Sequence, residues 1–448
     1  MAGRRVRVVV VNYHGGDLTI DCLQSLHRTD WPAGDLEIVL VDNSPSDGVA
    51  AQVLELLPQV RVVDAGGNRG FAGGCNLALG DLDGVDYVAL VNNDATVDPG
   101  WLGPLVGALK GDPSLGAANA KILFSSPFVE IGLQSTTSVR GRGDRRQLGV
   151  RLSGVEVDGK DAFRPTQLVE GFWGPEHDLD GRQPSQWTSE RALLRVPVAD
   201  DGPLPACRLR LAADEDRSVV VTSGPHQVKY QVTRQPEWYT VPLGGKRYRV
   251  VNNVGSVLLE GGYGADRGYL ERDEGQFDRS QEIFAWCGAA VLLSRPYLEA
   301  VGLFDERFFL YYEDFDLSWR GRAQGWRYVY VPEAVVHHAH SASSVVGSRL
   351  FAHYTERNRL VTLTRNAPLA LACREVGRHL LITGSYARRD IVSAVAHTRR
   401  PAGEIVFRRL RAFAAYLGLL PSTLVDRRRL RPRRSVGDGE LLEWMVRP

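Results

Sequence analysis

The fold is decided by a run near the start of the chain, Arg7-Val8-Val9-Val10-Val11-Asn12, in which four consecutive valines precede an amide. Such a run predicts a strand that is buried on both faces, as in a parallel sheet. Similar runs follow at 36–41 and 60–63, and apolar residues at helical spacing separate them at 18–26 and 49–57. Strands that alternate with helices at this interval predict a doubly wound α/β sheet.

Polar residues follow these predicted strands, namely Asn12, Asp42-Asn43 and the glycine-rich stretch GGNRGFAGGCN at 66–76. In doubly wound sheets, ligands bind beyond the carboxyl ends of the strands. The glycine stretch opens a predicted helix, and backbone N–H groups at such a position suit a phosphate or a ribose. Tight strand-to-helix turns need glycine as well, and the spacing is not GxGxxG, which argues against a dinucleotide.

A further buried strand is predicted at 87–91, and it runs directly into Asn92-Asn93-Asp94. A carboxylate among amides at this position offers the oxygen ligands that a hard divalent cation prefers. The same residues also favour an Asx turn before the next segment. The sequence leaves both interpretations open at this point.

Three carboxylates, Glu313, Asp314 and Asp316, fall within the stretch FFLYYEDFDLSWR at 308–320. Glu313, Asp316 and Arg320 share one face of a predicted helix, and Asp314 falls in its first turn. Acidic residues complement the positive end of a helix dipole. These residues alone therefore do not decide between helix-start acids and catalytic groups.

The alternation of strands and helices stops near Pro127. Residues 128–246 carry short alternating runs separated by Gly, Pro and Asp, which predict an inserted all-β domain of the sandwich type. The α/β pattern then returns, and the last part of the chain predicts basic helices, which lie on an anionic membrane surface or pack on protein. The predicted organisation is 1–127, 128–246, 247–366 and 367–448.

Length and composition exclude several classes of protein. The chain of 448 residues predicts about two to three domains, and its net charge of +1 argues against nucleic acid as a main partner. Its five cysteines lack CxxC spacing, which is typical of a reducing cytosol and of neither a zinc site nor a disulfide framework. The run at 8–11 is too short for a signal peptide, and no stretch approaches a membrane span. We therefore expect a cytoplasmic protein.

Four motifs, taken in order, resemble glycosyltransferase family 2, and most closely its branch of inverting rhamnosyltransferase-like enzymes. They are 10–13 with 41–43, then 67–76, then 91–94, and finally 312–316 with Trp319-Arg320. The resemblance covers 6–127 and about 247–366, and it implies the GT-A fold, a nucleotide-sugar-binding α/β sheet. It also implies a nucleotide-sugar donor, a Mg²⁺ or Mn²⁺ ion and a saccharide acceptor.

The resemblance assigns roles to residues at matching positions. Asp42 matches the acid that accepts a hydrogen bond from the nucleobase, and Asp314 matches the general base. Residues that hold the donor are then expected throughout the loops that follow the strands. They are Asn12, Asp42, Asn43, Asn68, Arg69, Gly70, Asn76, Asn92 and Asn93.

The family's metal-binding DxD motif corresponds here to Asn92-Asn93-Asp94, so only one of its carboxylates is present. His338 and His340 fall where the family often adds a histidine to the metal site. Alternation along a strand places His337 on the opposite face from His338. The expected metal ligands are therefore Asp94, His338 and His340, in a site weakened by the missing carboxylate.

The chemistry that follows from the resemblance is sugar transfer with inversion. A nucleotide diphosphate leaves once a cation neutralises its charge, so one base suffices, in contrast to glycoside hydrolysis. We expect Asp314 to deprotonate the acceptor hydroxyl, while Glu313 and Asp316 hold the acceptor or pair with Arg320. The expected donor is dTDP-L-rhamnose, or otherwise a UDP-hexose, and the expected acceptor is a lipid-linked or cell-envelope saccharide.

Two other functions are open. A sugar nucleotidyltransferase would need a basic, glycine-rich loop after the first strand, and 12–16 has no lysine or arginine. An inactive GT-A scaffold would bind glycan through aromatic residues of the insertion, although packing in a β core is the simpler interpretation of them. These aromatic residues are Trp173, Trp187, Trp238 and Tyr239.

The basic C-terminal helices also suggest a partner. They predict peripheral association with the cytoplasmic face of an anionic membrane. The sequence leaves the oligomeric state open.

Overall fold

The computed structural model describes residues 5–139, 146–174, 176–177, 184–339, 348–392, 395 and 403–447. The chain forms two compact units, one made of 1–125 and 251–448 and the other of 126–250. The predicted α/β sheet, β insertion and C-terminal helices are all present, so the predicted fold class is confirmed.

The first half of the α/β unit alternates strands and helices. The strands are β1 (Val6–Asn12), β2 (Leu36–Asp42), β3 (Arg61–Asp64), β4 (Tyr87–Val91), β5 (Ala95–Val97) and β6 (Leu115–Phe124). The helices are α1 (Asp17–His27), α2 (Val49–Leu56), α3 (Gly70–Leu79) and α4 (Leu102–Gly111). β1 pairs in parallel with β2 and β4 and is buried along its whole length. Its alternate valines enter two separate core clusters, one on each face of the sheet, which explains why the run is uninterrupted.

The inserted unit is an antiparallel β domain with a core of its own. The strands are β7 (Phe128–Ser135), β8 (Ser138–Val139), β9 (Gln147–Leu148), β10 (Arg151–Val157), β11 (Lys160–Asp161), β12 (Gln167–Phe172), β13 (Glu176–His177), β14 (Pro184–Pro197), β15 (Cys207–Ala212), β16 (Arg217–Ser223), β17 (His226–Val232) and β18 (Glu237–Val241). The principal strands follow the order β17-β16-β7-β14-β10-β15-β18 in one sheet.

The aromatic residues of the insertion mostly serve packing. Trp187 and Tyr239 are buried, and the indole N–H of Trp173 donates to the Gln147 carbonyl oxygen at 3.0 Å. Trp238 is 41% exposed and has the Arg208 guanidinium over its ring, 5.1 Å from the centroid. The positions of these aromatic side chains therefore do not support a glycan-binding face built from all of them.

The chain then returns to the α/β unit. The strands are β19 (Val251–Asn253), β20 (Ser256–Leu259), β21 (Tyr263–Asp266), β22 (Gln281–Glu282), β23 (Ala290–Ser294), β24 (Arg327–His338) and β25 (Met445–Val446). The helices are α5 (Arg295–Val301), α6 (Glu313–Ala323), α7 (Arg349–Asn366), α8 (Leu369–Ala387), α9 (Glu404–Leu430) and α10 (Asp438–Glu443). The central sheet has the order β22-β24-β6-β23-β4-β1-β2-β3.

One central strand departs from the predicted parallel arrangement. β23 is antiparallel to both β4 and β6, and its first residue, Ala290, pairs with the last residue of β4, Val91. The chain enters β23 from the carboxyl edge of the sheet, so the strand must run backwards. The segment just before it, which includes Cys287 and Gly288, is thereby placed at the edge where ligands bind.

The C-terminal helices belong to the core of the α/β unit. α9 lies along α7, and Tyr416 packs in one cluster with Phe308 and Leu360. The short strand β25 pairs in parallel with β20, with Met445 opposite Leu258. The predicted segment 367–448 thus shares one compact unit with residues 251–366 of the predicted segment 247–366. No helix in the described part of the chain is long and apolar enough to cross a membrane.

Candidate active site

A cleft lies at the carboxyl edge of the central sheet, beside the ends of β1 and β4 and the start of α6. Its volume of about 590 Å³ falls within the range of roughly 300–1,000 Å³ that small-molecule sites occupy. Residues from the glycine stretch, from 92–94, from 264–266 and from 309–315 line it. Segments that are far apart in sequence therefore meet at the edge where the strand pattern predicts a ligand.

The glycine stretch contacts the loop that precedes α6. Gly70 has a φ of +69°, and a Cβ atom there would lie 2.2 Å from the carbonyl oxygen of Phe309. The backbone N–H of Phe71 donates to that same carbonyl at 2.8 Å. Position 70 therefore requires glycine both for its backbone conformation and for this close approach.

Five of the nine predicted donor residues line the cleft. Asn43 donates from Nδ2 to the Gly70 carbonyl at 2.9 Å, and Asn68 accepts from the Gly70 N–H at 2.8 Å. The Asn43 Oδ1 atom is buried and has no hydrogen-bond partner among the described residues. Asn92 and Asn93 complete the set. This side of the cleft is thus rich in neutral amide groups, with one buried acceptor that still lacks a donor.

The other four predicted donor residues, Asn12, Asp42, Arg69 and Asn76, do not line the cleft. Asn12 donates to the carboxylate of Asp42 at 3.0 Å, and Asp42 also accepts the backbone N–H of Ser44 at 3.1 Å. Asp42 is only 2% exposed. Its carboxylate is therefore used to hold the loop after β2, and the neighbouring residue Asn43 lines the cleft instead.

Arg69 and Asn76 also form hydrogen bonds that stabilise the fold. Arg69 donates from Nε to the Ala65 carbonyl at 2.8 Å. Asn76 donates from Nδ2 to the Phe304 carbonyl at 2.9 Å and accepts the Phe304 N–H at 3.2 Å. These contacts tie α3 to the segment that leads toward α6, which explains why polar residues occur here without facing the cleft.

The candidate metal ligands Asp94 and His338 meet in the cleft. The Asp94 Oδ1 atom lies 2.9 Å from the Nε2 atom of His338, and the Nδ2 atom of Asn92 lies 3.3 Å from that nitrogen. On the other side of the ring, His338 Nδ1 lies 3.0 Å from the Asn252 Oδ1 atom. The pairing of β24 with β5 produces this arrangement, because it sets His338 opposite Ala95.

This donor set offers two protein ligands, Asp94 and His338, to one divalent cation. If His338 donates from Nδ1 to Asn252, its Nε2 lone pair faces the Asp94 carboxylate, and two acceptors face each other. The Asp94 Oδ1 atom and the His338 Nε2 atom, 2.9 Å apart, are the two protein atoms that would hold such an ion. No group of three or more His, Cys, Asp or Glu side chains among the described residues could hold a metal. An ion here would therefore take further oxygen ligands from a bound diphosphate.

The two histidines next to His338 have different positions. His337 has its Nε2 atom 3.2 Å from the Asp98 carboxylate and does not line the cleft, which agrees with alternation along β24. His340, the other predicted metal ligand, lies outside the described residues.

Asp314, the predicted base, lines the cleft with its carboxylate fixed by two backbone amides. Its Oδ2 atom accepts the Gly288 N–H at 3.0 Å, and its Oδ1 atom accepts the Phe315 N–H at 2.7 Å. Burial raises the pKa of Asp314 above its usual range, and the two amides act in the opposite direction. Asp314 is therefore an oriented carboxylate of raised basicity.

The loop before α6 is held in an unusual conformation. Phe309, Tyr311 and Tyr312 all have positive φ angles, of 64°, 66° and 70°. Such conformations cost on the order of 1–3 kcal/mol each and persist only where the surroundings enforce them. Asn358 of α7 supplies that support, because its Nδ2 atom lies within hydrogen-bonding distance of three carbonyls. These belong to Phe308 (3.0 Å), Leu310 (2.9 Å) and Tyr311 (2.7 Å).

Glu313 lies beside Asp314 and is almost fully buried. Its Oε2 atom has no hydrogen-bond partner in the described part of the chain. Burial, followed by the charge of Asp314, raises the pKa of Glu313. A carboxyl group in this environment favours its protonated form.

Asp266 is a cleft carboxylate that the sequence did not single out. It lies at the end of β21 and accepts from the Asn253 Nδ2 atom at 2.6 Å. Burial raises the pKa of Asp266 to about 6, and the charge of Asp314 makes a smaller contribution in the same direction. Sequence patterns give no sign of it, because only the pairing of β21 with β20 brings it to the cleft.

Asp316, predicted as a third catalytic acid, does not line the cleft, and this corrects the prediction. It is fully buried and accepts from Arg320 Nε at 3.0 Å, Arg365 Nη1 at 2.8 Å and Asn366 Nδ2 at 2.8 Å. Residues two apart on a helix do not share a face, so Asp316 points away from Asp314. Its pairing with Arg320 was the other predicted role, and here it fastens α6 to α7.

Comparison with known sequences supports the resemblance. Residues 7–157 match the family model described as Glycosyl transferase family 2. Two strains of Mycobacterium tuberculosis carry an N-acetylglucosaminyl-diphospho-decaprenol L-rhamnosyltransferase that is 43% identical to this chain over 82 residues. This stretch is 18% of the chain and 27% of that relative, so the chain spans about a quarter of the relative's length.

Three solved structures show weaker likeness. GalNAc-T7 with UDP, GalNAc and Mn²⁺ is 13% identical, with a TM-score of 0.42 and coverage of 81% of this chain and 48% of that one. The mannosyltransferase PcManGT from Pyrobaculum calidifontis with GDP-Man and Mn²⁺ is 15% identical, with a TM-score of 0.41 and coverage of 96% and 86%. S. aureus TarS 1–349 with UDP-GlcNAc is 21% identical over 26% of this chain and 34% of that one, with a TM-score of 0.24.

Proposed function

We propose that this chain, whose residues 7–157 match the model of glycosyl transferase family 2, transfers a sugar with inversion from a nucleotide-diphosphate donor to a hydroxyl group. One observation carries the proposal. A single cleft joins the amide-lined edge formed by Asn43, Asn68 and Asn92 to the carboxylate of Asp314. The amides suit the uncharged parts of a nucleotide, and the carboxylate suits the hydroxyl that attacks.

Asp314 acts as the general base in this proposal. The acceptor hydroxyl gives its proton to Asp314 while its oxygen bonds to the anomeric carbon and the nucleotide diphosphate departs. A positioned base of this kind contributes a factor of about 10²–10⁴ to the rate. The two amide contacts from Gly288 and Phe315 support the role, because they fix the direction in which the carboxylate accepts the proton.

On the donor side, Asp94 and His338 would hold a Mg²⁺ or Mn²⁺ ion. Such an ion, when bound, neutralises the charge of the departing diphosphate. The Asn252 contact supports the assignment, because it fixes the tautomer and orientation of the His338 ring. Asn43 Oδ1, which has no hydrogen-bond partner among the described residues, would accept from an N–H group of the nucleotide.

Replacing His338 with alanine should weaken Mn²⁺ binding in the presence of nucleoside diphosphate at least tenfold, since even outer-shell changes cost about 10–100-fold at metal sites. Electron paramagnetic resonance of free Mn²⁺ measures this binding without any turnover. His337→Ala is the matched control, because His337 faces Asp98 and should leave the affinity unchanged. Equal affinities for the two variants would remove His338 from the site.

The proposed donor is dTDP-L-rhamnose, with a UDP-hexose as the alternative. The support is the 82-residue likeness to the mycobacterial L-rhamnosyltransferase. The name of that relative also suggests an acceptor in which N-acetylglucosamine is attached through a diphosphate to a lipid. Release of nucleoside diphosphate from a panel of donors, with Mn²⁺ and such an acceptor, tests the proposal as a whole.

The mouth of the cleft suits an acceptor that carries sugar rings. Phe309 stacks on Tyr354 with ring centroids 5.3 Å apart, and Tyr311 packs edge-on against Phe351 at 5.0 Å. Leu350 beside them is 50% exposed. Aromatic and apolar surface at the entrance can cover the faces of a saccharide or the first carbons of a lipid.

We further propose that α9 lies on an anionic membrane surface. Its inner face packs on α7, while Phe407, Leu410, Leu417 and Leu424 are each 39–69% exposed on the other side. Exposed arginines flank these apolar residues, which is the composition of helices that lie in the headgroup region. A basic rim around apolar side chains matches a bilayer that contains anionic lipid.

The variant Phe407→Ser with Leu417→Ser should bind vesicles of phosphatidylcholine and phosphatidylglycerol at least tenfold more weakly, because each buried CH₂ contributes about 0.8 kcal/mol. Co-sedimentation measures the loss. The matched control is Leu54→Ser with Leu56→Ser on α2, where both leucines are 57% exposed. A similar loss in the control, or none in the α9 variant, would refute the proposed membrane face. Deletion of the C-terminus cannot serve here, since α9 and β25 belong to the core.

A further inference from the structure

A second cavity, with a volume of about 280 Å³, lies between the segment 303–307, α6, α7 and the end of α9. It shares no lining residue with the active-site cleft. Its most distinctive feature is a group of five arginines from four parts of the chain. They are Arg307, Arg320, Arg365, Arg429 and Arg433.

Three carboxylates neutralise three of these arginines. Asp316 pairs with Arg320 at 3.0 Å and with Arg365 at 2.8 Å. Asp305, which lines the cavity, pairs with Arg307 at 2.6 Å and also with Arg365. Asp426, the other acid in the lining, pairs with Arg307 and lies 3.3 Å from Arg365.

The three carboxylates do not neutralise the positive charges of Arg429 and Arg433. Both are exposed, and neither forms a hydrogen bond or ion pair with any residue that the structure describes. They lie four positions apart and both border the cavity. The group of arginines therefore carries an excess of two positive charges over Asp305, Asp316 and Asp426.

One of the arginines that line the cavity also carries a buried, unpaired donor. The Arg365 side chain is 3% exposed, and its Nε atom is buried without a hydrogen-bond partner in the described residues. Its other nitrogens are occupied by the three carboxylates. An N–H group left unpaired in this way is costly, so the surroundings of Arg365 favour a further acceptor.

We propose that this cavity binds a phosphate group. Guanidinium groups match phosphate oxygens with paired N–H donors, and arginine is preferred where such planar recognition matters. Arg429 and Arg433, whose charges the three carboxylates leave unneutralised, would contact the phosphate from the open side. The phosphate belongs either to a soluble phosphate or diphosphate or to a phospholipid headgroup, because α9 also carries the apolar surface described above. The inference does not depend on the proposed sugar transfer.

The test compares two double variants of the full chain that each remove two charges from the same region. Arg429→Gln with Arg433→Gln alters the cavity, whereas Arg428→Gln with Arg431→Gln alters two exposed arginines outside its lining. Inorganic pyrophosphate without metal is titrated into each protein by calorimetry. Co-sedimentation with vesicles of phosphatidylcholine, with and without phosphatidylglycerol, forms the second arm.

We expect the cavity variant to bind at least tenfold more weakly than the control variant in one of the two arms. A difference with pyrophosphate identifies a soluble phosphate as the ligand, and a difference with anionic vesicles alone identifies a lipid headgroup. The same affinity for both variants in both arms would overturn the proposal. Replacing Asp314 with asparagine should change neither arm, so failure of this proposal is distinguishable from failure of the proposed transfer.

Discussion

Replacing Asp314 with asparagine should lower the rate of sugar transfer at least a hundredfold while leaving the affinity for nucleoside diphosphate unchanged. Asparagine can keep the contact with the Gly288 N–H through its amide oxygen and loses the one with the Phe315 N–H, while the Asn358 contacts still hold the loop in place. It cannot take up a proton, and the contribution of a general base, about 10²–10⁴, is lost. Initial rates at saturating donor measure the first quantity, and calorimetric titration of the nucleotide measures the second.

Asp266→Asn is the matched control for this change. Asp266 lies in the same cleft, but its carboxylate already accepts from Asn253, and an asparagine can make the same hydrogen bond. We expect a loss smaller than tenfold. Because burial raises the pKa of Asp314, the wild-type rate should also fall with decreasing pH sooner than an ordinary aspartate would require. Near-normal turnover by the Asp314 variant, or an equal loss in both variants, would remove Asp314 from the role of base.

Replacing Asp316 with asparagine should lower the free energy of unfolding of the α/β unit by about 3–5 kcal/mol, which is typical when one partner of a buried ion pair is removed. Asp316 is fully buried and accepts from Arg320 and Arg365 at once. Two buried guanidinium groups would then lose their shared negative partner. Urea unfolding, followed by tryptophan fluorescence, measures the change.

An exposed ion pair with the same spacing provides the control. Glu299 pairs with Arg295 at 2.6 Å, four positions away, and its side chain is 56% exposed. Glu299→Gln should change the free energy of unfolding by no more than about 0.5 kcal/mol. If Asp316→Asn were as mild as Glu299→Gln, Asp316 would not be fastening α6 to α7, and its burial would need another explanation.

The fold follows from local patterns wherever burial is strong. The strand at 8–11 carries valine on both of its faces because both faces of the sheet are covered. A pattern of this kind can be recognised in the sequence. The sequence pattern does not indicate the direction of β23. Its residues would suit either direction, and only the path of the preceding chain toward the carboxyl edge makes the strand antiparallel.

The residues of the site likewise include some that the sequence predicts and some that it does not. Residues that directly follow strands, such as Asn43, Asn92 and Asp94, reach the cleft, because the ends of parallel strands share one edge of the sheet. Asp266 and Asn358 could not be foreseen, because a hairpin and a distant helix bring them to the cleft and its loop. Asp316 could have been excluded from the sequence alone, since it lies two positions from Asp314 on a helix. The assigned roles of the cleft residues stay predictions.

The most direct test of the account is release of nucleoside diphosphate by the purified full chain. The assay contains Mn²⁺, a panel of dTDP- and UDP-sugars, and an N-acetylglucosaminyl-diphospho-lipid as acceptor. We predict release from one donor, with dTDP-L-rhamnose preferred, that depends on the acceptor and is lost in the Asp314→Asn variant. No release from any donor, or release that the Asp314 variant retains in full, would contradict the account.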